Sequence, residues 1–229
     1  MTEIINYYSE IPKELSDKTV YRNPNSKKFV LLHPFRVLIV GGSGTGKTNI
    51  AVNILHYSQA FDEIHIFAKD ITEPLYKFLA EEKKVTISDT LDDLPNLNDV
   101  NDKKQKCYIF DDMITESTKN QKKMAEYFIR GRKKNASCIY ISQSYFDVPY
   151  LLRKNITHLL ILKLNDSRDI NEIIKRYNLG GSKSKINTIH AMYRNSTKKK
   201  HGFLLVNLVP DKPNEMFMNG FSQKYDFIN

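Results

Sequence analysis

The run Gly41-Gly42-Ser43-Gly44-Thr45-Gly46-Lys47-Thr48 follows the apolar stretch Val37–Val40 and precedes apolar positions recurring at helical spacing from Asn49 to Tyr57. That order dictates a strand, a glycine loop and a helix. Gly41, four residues, then Gly46-Lys47-Thr48 is the spacing a phosphate-binding loop needs, because glycines let backbone N–H groups converge on phosphate oxygens where a helix begins. Residues Gly41 to Asn49 are therefore the candidate nucleotide contacts, with Lys47 reaching the β- and γ-phosphates and Thr48 a ligand for Mg²⁺.

The rest of the chain agrees with that constraint. Glu63–Ala68 alternates like a strand, Glu73–Glu82 has helical spacing, and Val85–Ile87 reads as a short strand. An Asp/Asn-rich loop, 88–106, is followed by a strand Cys107–Phe110, a helix from about Asn120 to Arg132, and strands Ser137–Ser142 and His158–Leu164. Two more helices are expected over Asp166–Tyr177, closed by Asn178-Leu179-Gly180-Gly181, and over Lys183–Tyr193. A strand Phe203–Val209 ends the pattern, and Phe29–Leu32 could form another near the start. Alternating strands and helices predict an α/β fold, a P-loop NTPase with a mainly parallel central sheet flanked by helices on both faces and ligands at the carboxyl ends of the strands. The expected organisation is an N-terminal arm over 1–35, the ATPase domain over 36–209 and a tail over 210–229.

With 229 residues the chain fits one such domain with small extensions. It contains no apolar run approaching the ~18 residues of a membrane span, so a soluble intracellular protein is expected. Cys107 and Cys138 lie in apolar runs and read as buried thiols, and the six histidines have no ligand spacing, so no structural zinc is expected. Charge is divided unevenly. Residues 1–116 hold 14 Lys+Arg against 18 Asp+Glu, whereas residues 117–229 hold 21 against 8, a balance of −4 and +13 that makes the net +9. The basic half suits either a solvated surface or a polyanion-binding face.

Three further elements bear on the nucleotide. Tyr108-Ile109-Phe110 leads into Asp111-Asp112, two carboxylates at the end of an apolar strand, either a helix cap or half of a hydrolytic site. In the second reading Asp111 holds Mg²⁺ through water and Asp112 is the general base. The strand Cys138–Ser142 ends at Gln143, within reach of the γ-phosphate if this strand lies between those of the loop and Asp111; otherwise Gln143 is an ordinary strand-end amide. Arg130-Gly131-Arg132-Lys133-Lys134 closes a helix either as a cap that suits its dipole or as an arginine finger for a neighbouring subunit.

Taken together, GGSGTGKT, YIFDD, RGRKKNAS and YISQSYFDVPYLLRKNITHLLILK resemble the genome-packaging ATPases of large cytoplasmic DNA viruses, virophages and related elements, within the FtsK/HerA superfamily, over about residues 29 to 210. The amide followed by Ser-Tyr-Phe, proline and Arg-Lys is the more specific part. The resemblance implies ATP and Mg²⁺, nucleotide contacts at Gly41–Thr48, a metal-water contact at Asp111, a catalytic Asp112 and a sensing Gln143. It also implies a homo-oligomeric ring around double-stranded DNA and docking on a capsid or portal-vertex protein. The arginine supplied in trans would be Arg130 or Arg132, with Arg153 a weaker choice. The expected location is the host-cell cytoplasm, at the viral factory or with the virion. Many relatives carry glutamate where this chain has Asp112, one methylene shorter.

Three functions compete on sequence alone: a DNA-translocating packaging ATPase, a nucleoside or nucleotide phosphotransferase, and an assembly switch. The second would need an acceptor pocket and an arginine-rich lid, and here only Arg153, Lys154 and Arg168 offer themselves. No Asn-Lys-x-Asp guanine signature favours the third.

Overall fold

The computed structural model describes residues 6–12, 20–177, 183–210 and 215–225. Strand β1, Arg36–Val40, is the buried run before the glycine loop, and helix α1, Lys47–Ser58, begins inside the loop. There follow β2 (Glu63–Ala68), α2 (Pro74–Leu79), β3 (Val85–Ser88), β4 (Lys106–Asp111), α3 (Thr118–Arg130) and β5 (Ala136–Ser142). The second half contributes α4 (Tyr150–Lys154), β6 (His158–Ile161), α5 (Ser167–Tyr177), α6 (Lys183–Ser196), β7 (Leu204–Asn207), β8 (Phe217–Asn219) and β9 (Gln223–Lys224).

Among the described residues the nine strands form one sheet in the order β3-β2-β4-β5-β1-β6-β7-β8-β9. The six strands from β3 to β6 are parallel, and β7, β8 and β9 continue the sheet antiparallel. Side chains of a strand alternate between faces, so β1 sends Leu38 and Val40 to one core and Val37 and Ile39 to the other. The first core holds Met124, Tyr127 and Phe128 of α3 with Ile170, Ile173 and Ile174 of α5. The second holds Ile50 and Ile54 of α1 with Tyr76 of α2. Each fully buried Leu, Ile or Phe stabilises the sandwich by about 1.5–3 kcal/mol. Helices therefore cover both faces, as the alternation of elements requires.

Several boundaries differ from the sequence reading. Phe29–Leu32 is not a strand. Both edges of β1 are occupied by β5 and β6, and Asn23 satisfies the backbone at His33 instead, accepting from its N–H at 2.6 Å and donating to its carbonyl at 3.0 Å. Phe29 and Leu31 are nonetheless buried, in the α1-side core, where Phe29 packs edge-on against Phe221. Helix α2 stops at Leu79 rather than Glu82, and α3 stops at Arg130, continuing as a 3₁₀ turn through Lys134. Strand β6 ends at Ile161, so 162–165 is free to run along the glycine loop, and β7 is confined to Leu204–Asn207. Helix α6 runs three residues further than expected, to Ser196. Beyond residue 209 the chain carries two further strands, β8 and β9. The glycine stop at 178–181 lies outside the described residues.

Candidate active site

Sheet order places the functional segments side by side. Because β5 lies between β1 and β4, three consecutive strand ends deliver the glycine loop, Gln143 and Asp111-Asp112 to one edge. The register sets them level, with Val40 opposite Ser142 and Asp111 opposite Ile141.

The loop is held from outside as much as by its own glycines. Gly41 donates its N–H to Ser142 at 3.3 Å, and Gly42 donates to the carbonyl of Lys163 at 2.9 Å. These two N–H groups are thus committed to neighbouring chain. A side chain at Gly41 would meet Leu162, and one at Gly42 would meet the Asn165 amide, so at both positions close packing is what demands glycine. Gly44 and Gly46 are glycine for another reason, backbone φ angles of 70° and 97°, which L side chains reach only with strain. The N–H groups of Ser43, Gly44, Gly46, Lys47 and Thr48 have no backbone acceptor among the described residues. They are the donors free to face a phosphate at the start of α1, where the helix dipole also favours an anion. Lys47 folds over the loop, donating to the carbonyls of Gly41 at 2.9 Å and Gly42 at 3.0 Å. Burial lowers its pKa, and Asp111 and Asp112 oppose that shift.

The carboxylates sit in different surroundings. Asp111, the last residue of β4, accepts a hydrogen bond of 2.5 Å from the hydroxyl of Tyr76, which is itself fully buried on α2. Burial raises the Asp111 pKa above the usual carboxylate range, with Asp112 adding to the rise while the Tyr76 bond and Lys47 oppose it. Thr48 stands close enough to the Tyr76 hydroxyl to oppose slightly the rise in its pKa. Tyr76 therefore holds the carboxylate predicted to face a metal. Its own pKa is pushed far up, first by burial and then by Asp111, which keeps it a donor. Oxygen donors from Thr48 and a half-buried carboxylate are the set a hard divalent cation takes, so the residues present fit Mg²⁺. Asp112 leaves β4 in a left-handed conformation, φ 55°, and its carboxylate accepts from the Gln143 amide at 3.4 Å. A non-glycine residue with positive φ at a strand end is a local strain that aims a side chain.

The structure does not bring every candidate to this edge. Arg130, Arg132 and the lysines after them precede β5, so they lie at the opposite edge of the sheet; Arg130 and Arg132 are exposed, and Arg130 donates to Asn98 at 3.1 Å. Arg153, which precedes β6, is also on that side. Asn49 lies in the first turn of α1, where its carbonyl accepts from Asn53 at 2.8 Å. Conversely, Tyr76, Asn165 and His201 are at the site although the sequence reading passed over them. Tyr76 looked like one more apolar position of a helix. His201 approaches the Thr45 carbonyl at 3.2 Å and closes off the space a side chain on Gly46 would need; in the sequence it stands directly after three lysines, 198–200.

Solved structures share this architecture. B204, the DNA-packaging ATPase from Sulfolobus Turreted Icosahedral Virus, superposes with a TM-score of 0.55 at 15% identity over 76% of this chain and 93% of its own. The genome packaging NTPase B204 from Sulfolobus turreted icosahedral virus 2, in complex with AMP, gives 0.54 at 15% identity over 77% and 94%. EssC (ATPases 2 and 3) from Geobacillus thermodenitrificans gives 0.50 at 13% identity, over 62% of this chain and 34% of its own. At such identities the likeness establishes the ATPase fold. No individually curated protein matches the sequence. The family model described as Poxvirus A32 protein matches residues 25–214, spanning the glycine loop, the Asp111-Asp112 strand, Gln143 and the strands that flank them, and by that match the chain belongs to the poxvirus A32 protein family.

Proposed function

We propose that this protein is a DNA-packaging ATPase that hydrolyses ATP to move double-stranded DNA into a viral capsid. The observation that carries the reading is the convergence of Lys47, Thr48, Asp111, Asp112 and Gln143 on one sheet edge beside a loop with free N–H donors. The fold shared with B204, named as a DNA-packaging ATPase, and the basic second half of the chain support the same reading.

In this proposal the loop N–H groups and Lys47 bind the β- and γ-phosphates, Lys47 exchanging its loop carbonyls for phosphate oxygens. Mg²⁺ would be held by Thr48 and, through coordinated water, by Asp111, and would supply neutralisation of phosphate charge. Asp112 takes the proton of the attacking water. Gln143, already bonded to Asp112, orients that water and registers loss of the γ-phosphate. Arg130 or Arg132, exposed on the far edge, completes the site of a neighbouring subunit in a homo-oligomeric ring. Its partners are double-stranded DNA and a capsid or portal-vertex protein, and its place of work is the host-cell cytoplasm or the virion.

The test is ATP hydrolysis with and without duplex DNA. Stimulation by DNA is expected, abolished in Lys47→Ala and weakening as salt rises, because each phosphate contact releases counterions. Hydrolysis indifferent to DNA at low salt refutes the packaging reading and leaves only a nucleotide hydrolase.

A further inference from the structure

At the edge of the sheet away from the glycine loop lies a cleft of about 510 Å³ that the nucleotide chemistry does not use. Arg36 at the start of β1 marks its position, so the five residues of β1, about 16 Å of extended chain, separate it from the loop. The cations Arg36, Arg153, Lys154 and Arg176 line it beside Tyr145 and Tyr150, and no carboxylate is among its lining residues. Among the described residues none of these four cations is in an ion pair.

The three guanidinium groups are each tethered by one nitrogen. Arg36 donates Nε to the Asn155 carbonyl, Arg153 donates Nε to the Val148 carbonyl at 2.9 Å, and Arg176 donates Nη1 to the Tyr145 hydroxyl at 3.3 Å. Aromatic rings fix the plane of Arg153, with Tyr145, Phe146 and Tyr150 centroids at 5.0, 5.5 and 6.0 Å. Lys154 lies 5.1 Å from the ring of Tyr150, which is 55% exposed. Arg36 and Arg153, anchored at the inner nitrogen, keep their outer N–H pairs for a ligand, while Arg176, held at Nη1, keeps Nε and Nη2, and the fixed planes match the paired oxygens of phosphate. Holding them in place beforehand removes the ordering cost that a flexible lysine surface would incur on binding. An exposed tyrosine beside them offers a sugar or base a flat apolar contact.

We infer that this cleft is a second anion site, which grips the phosphodiester backbone of DNA at the sheet edge opposite the ATP site. The inference rests on the reading that the protein acts on DNA, and it names which surface does so. It also gives Arg153 a task other than completing a neighbour's nucleotide site.

The experiment is anisotropy of a short labelled duplex over a salt series with the full chain. The variants are Lys154→Gln/Arg176→Gln, both exposed positions, and Arg153→Lys, which keeps the charge and removes the fork. Lys83→Gln/Lys84→Gln, exposed before β3 at the far side of the sheet, removes the same charge elsewhere. The expected result is about a tenfold loss of affinity in the cleft pair at low salt and a log K–log salt slope shallower by about 2, with a much smaller change in the control. Arg153→Lys should weaken binding without that change in slope. Equal losses in cleft and control variants overturn the inference. If the cleft variants lose hydrolysis while keeping full DNA affinity, the arginines serve a neighbour's ATP and the inference is again wrong. Absence of duplex binding by the unaltered protein refutes the DNA reading itself, whereas binding that survives every cleft substitution refutes the cleft alone.

Discussion

Tyr76→Phe removes one oxygen from a fully buried ring and leaves the packing of the α1-side core in place. One hydrogen bond goes with it, the 2.5 Å bond to Asp111. A bond to a charged acceptor contributes about 1.5–3 kcal/mol, and a partly buried carboxylate stripped of its donor adds a desolvation cost. The expected destabilisation without nucleotide is about 2–3 kcal/mol, or roughly 4–12 °C in melting temperature for a chain of this size. Urea unfolding at neutral pH measures it, with an unchanged m-value as the sign that only the native state was altered. Asp111→Asn and the double variant complete a cycle in which the pair should couple by about 1 kcal/mol, since the amide still accepts but without its charge. If Tyr76→Phe stays within about 0.5 kcal/mol of the unaltered protein, or if the two substitutions are additive, Tyr76 does not hold Asp111 and its role at the site is only to fill space.

Gly44→Ala should lose about 1–2 kcal/mol from its positive φ alone, because nothing lies near the added carbon, whereas Gly46→Ala should lose more through collision with His201. Adding His201→Ala should recover the difference at 46 and nothing at 44; equal costs at the two glycines in urea unfolding would contradict this. Burial holds His33 near 4 and His158 near 3, below the ordinary 6.5, so both bind fewer protons folded than unfolded. Stability should therefore fall as pH drops from about 6.5 toward 4, by on the order of 1 kcal/mol per pH unit for each histidine, and His33→Gln should flatten the profile. For the arginine acting in trans, mixing Arg130→Ala or Arg132→Ala subunits with Lys47→Ala subunits should restore partial ATP hydrolysis. No restoration at any ratio, with assembly intact by light scattering, excludes both arginines.

Local patterning was enough for the scaffold. Strand β2 falls where alternation put it, and β4 and β5 differ from expectation by one or two residues at their ends. A buried parallel strand writes its apolar run directly into the sequence. Phe29–Leu32 misled because the same apolar pattern serves a buried irregular segment, and only the occupied edges of β1 decide between them. The polar loop 88–106 hid two 3₁₀ turns whose Leu91 and Leu97 enter the core, since short turns have no period to detect.

By itself the sequence determined the glycine loop, the carboxylate pair and the α/β alternation, because each depends on neighbours within a few residues. Strand order was the conditional step. Gln143 becomes a partner of Asp112 only because β5 lies between β1 and β4, a placement set by how the sheet closes both cores. Tyr76, Leu162, Asn165 and His201 reach the site from segments 28 to 155 residues beyond Thr48 or Gly46, and a side chain that distant leaves no local signal. The cleft of tethered arginines at the far edge is likewise a product of β1, β6 and the helices around them meeting in space, which no reading of one segment at a time contains.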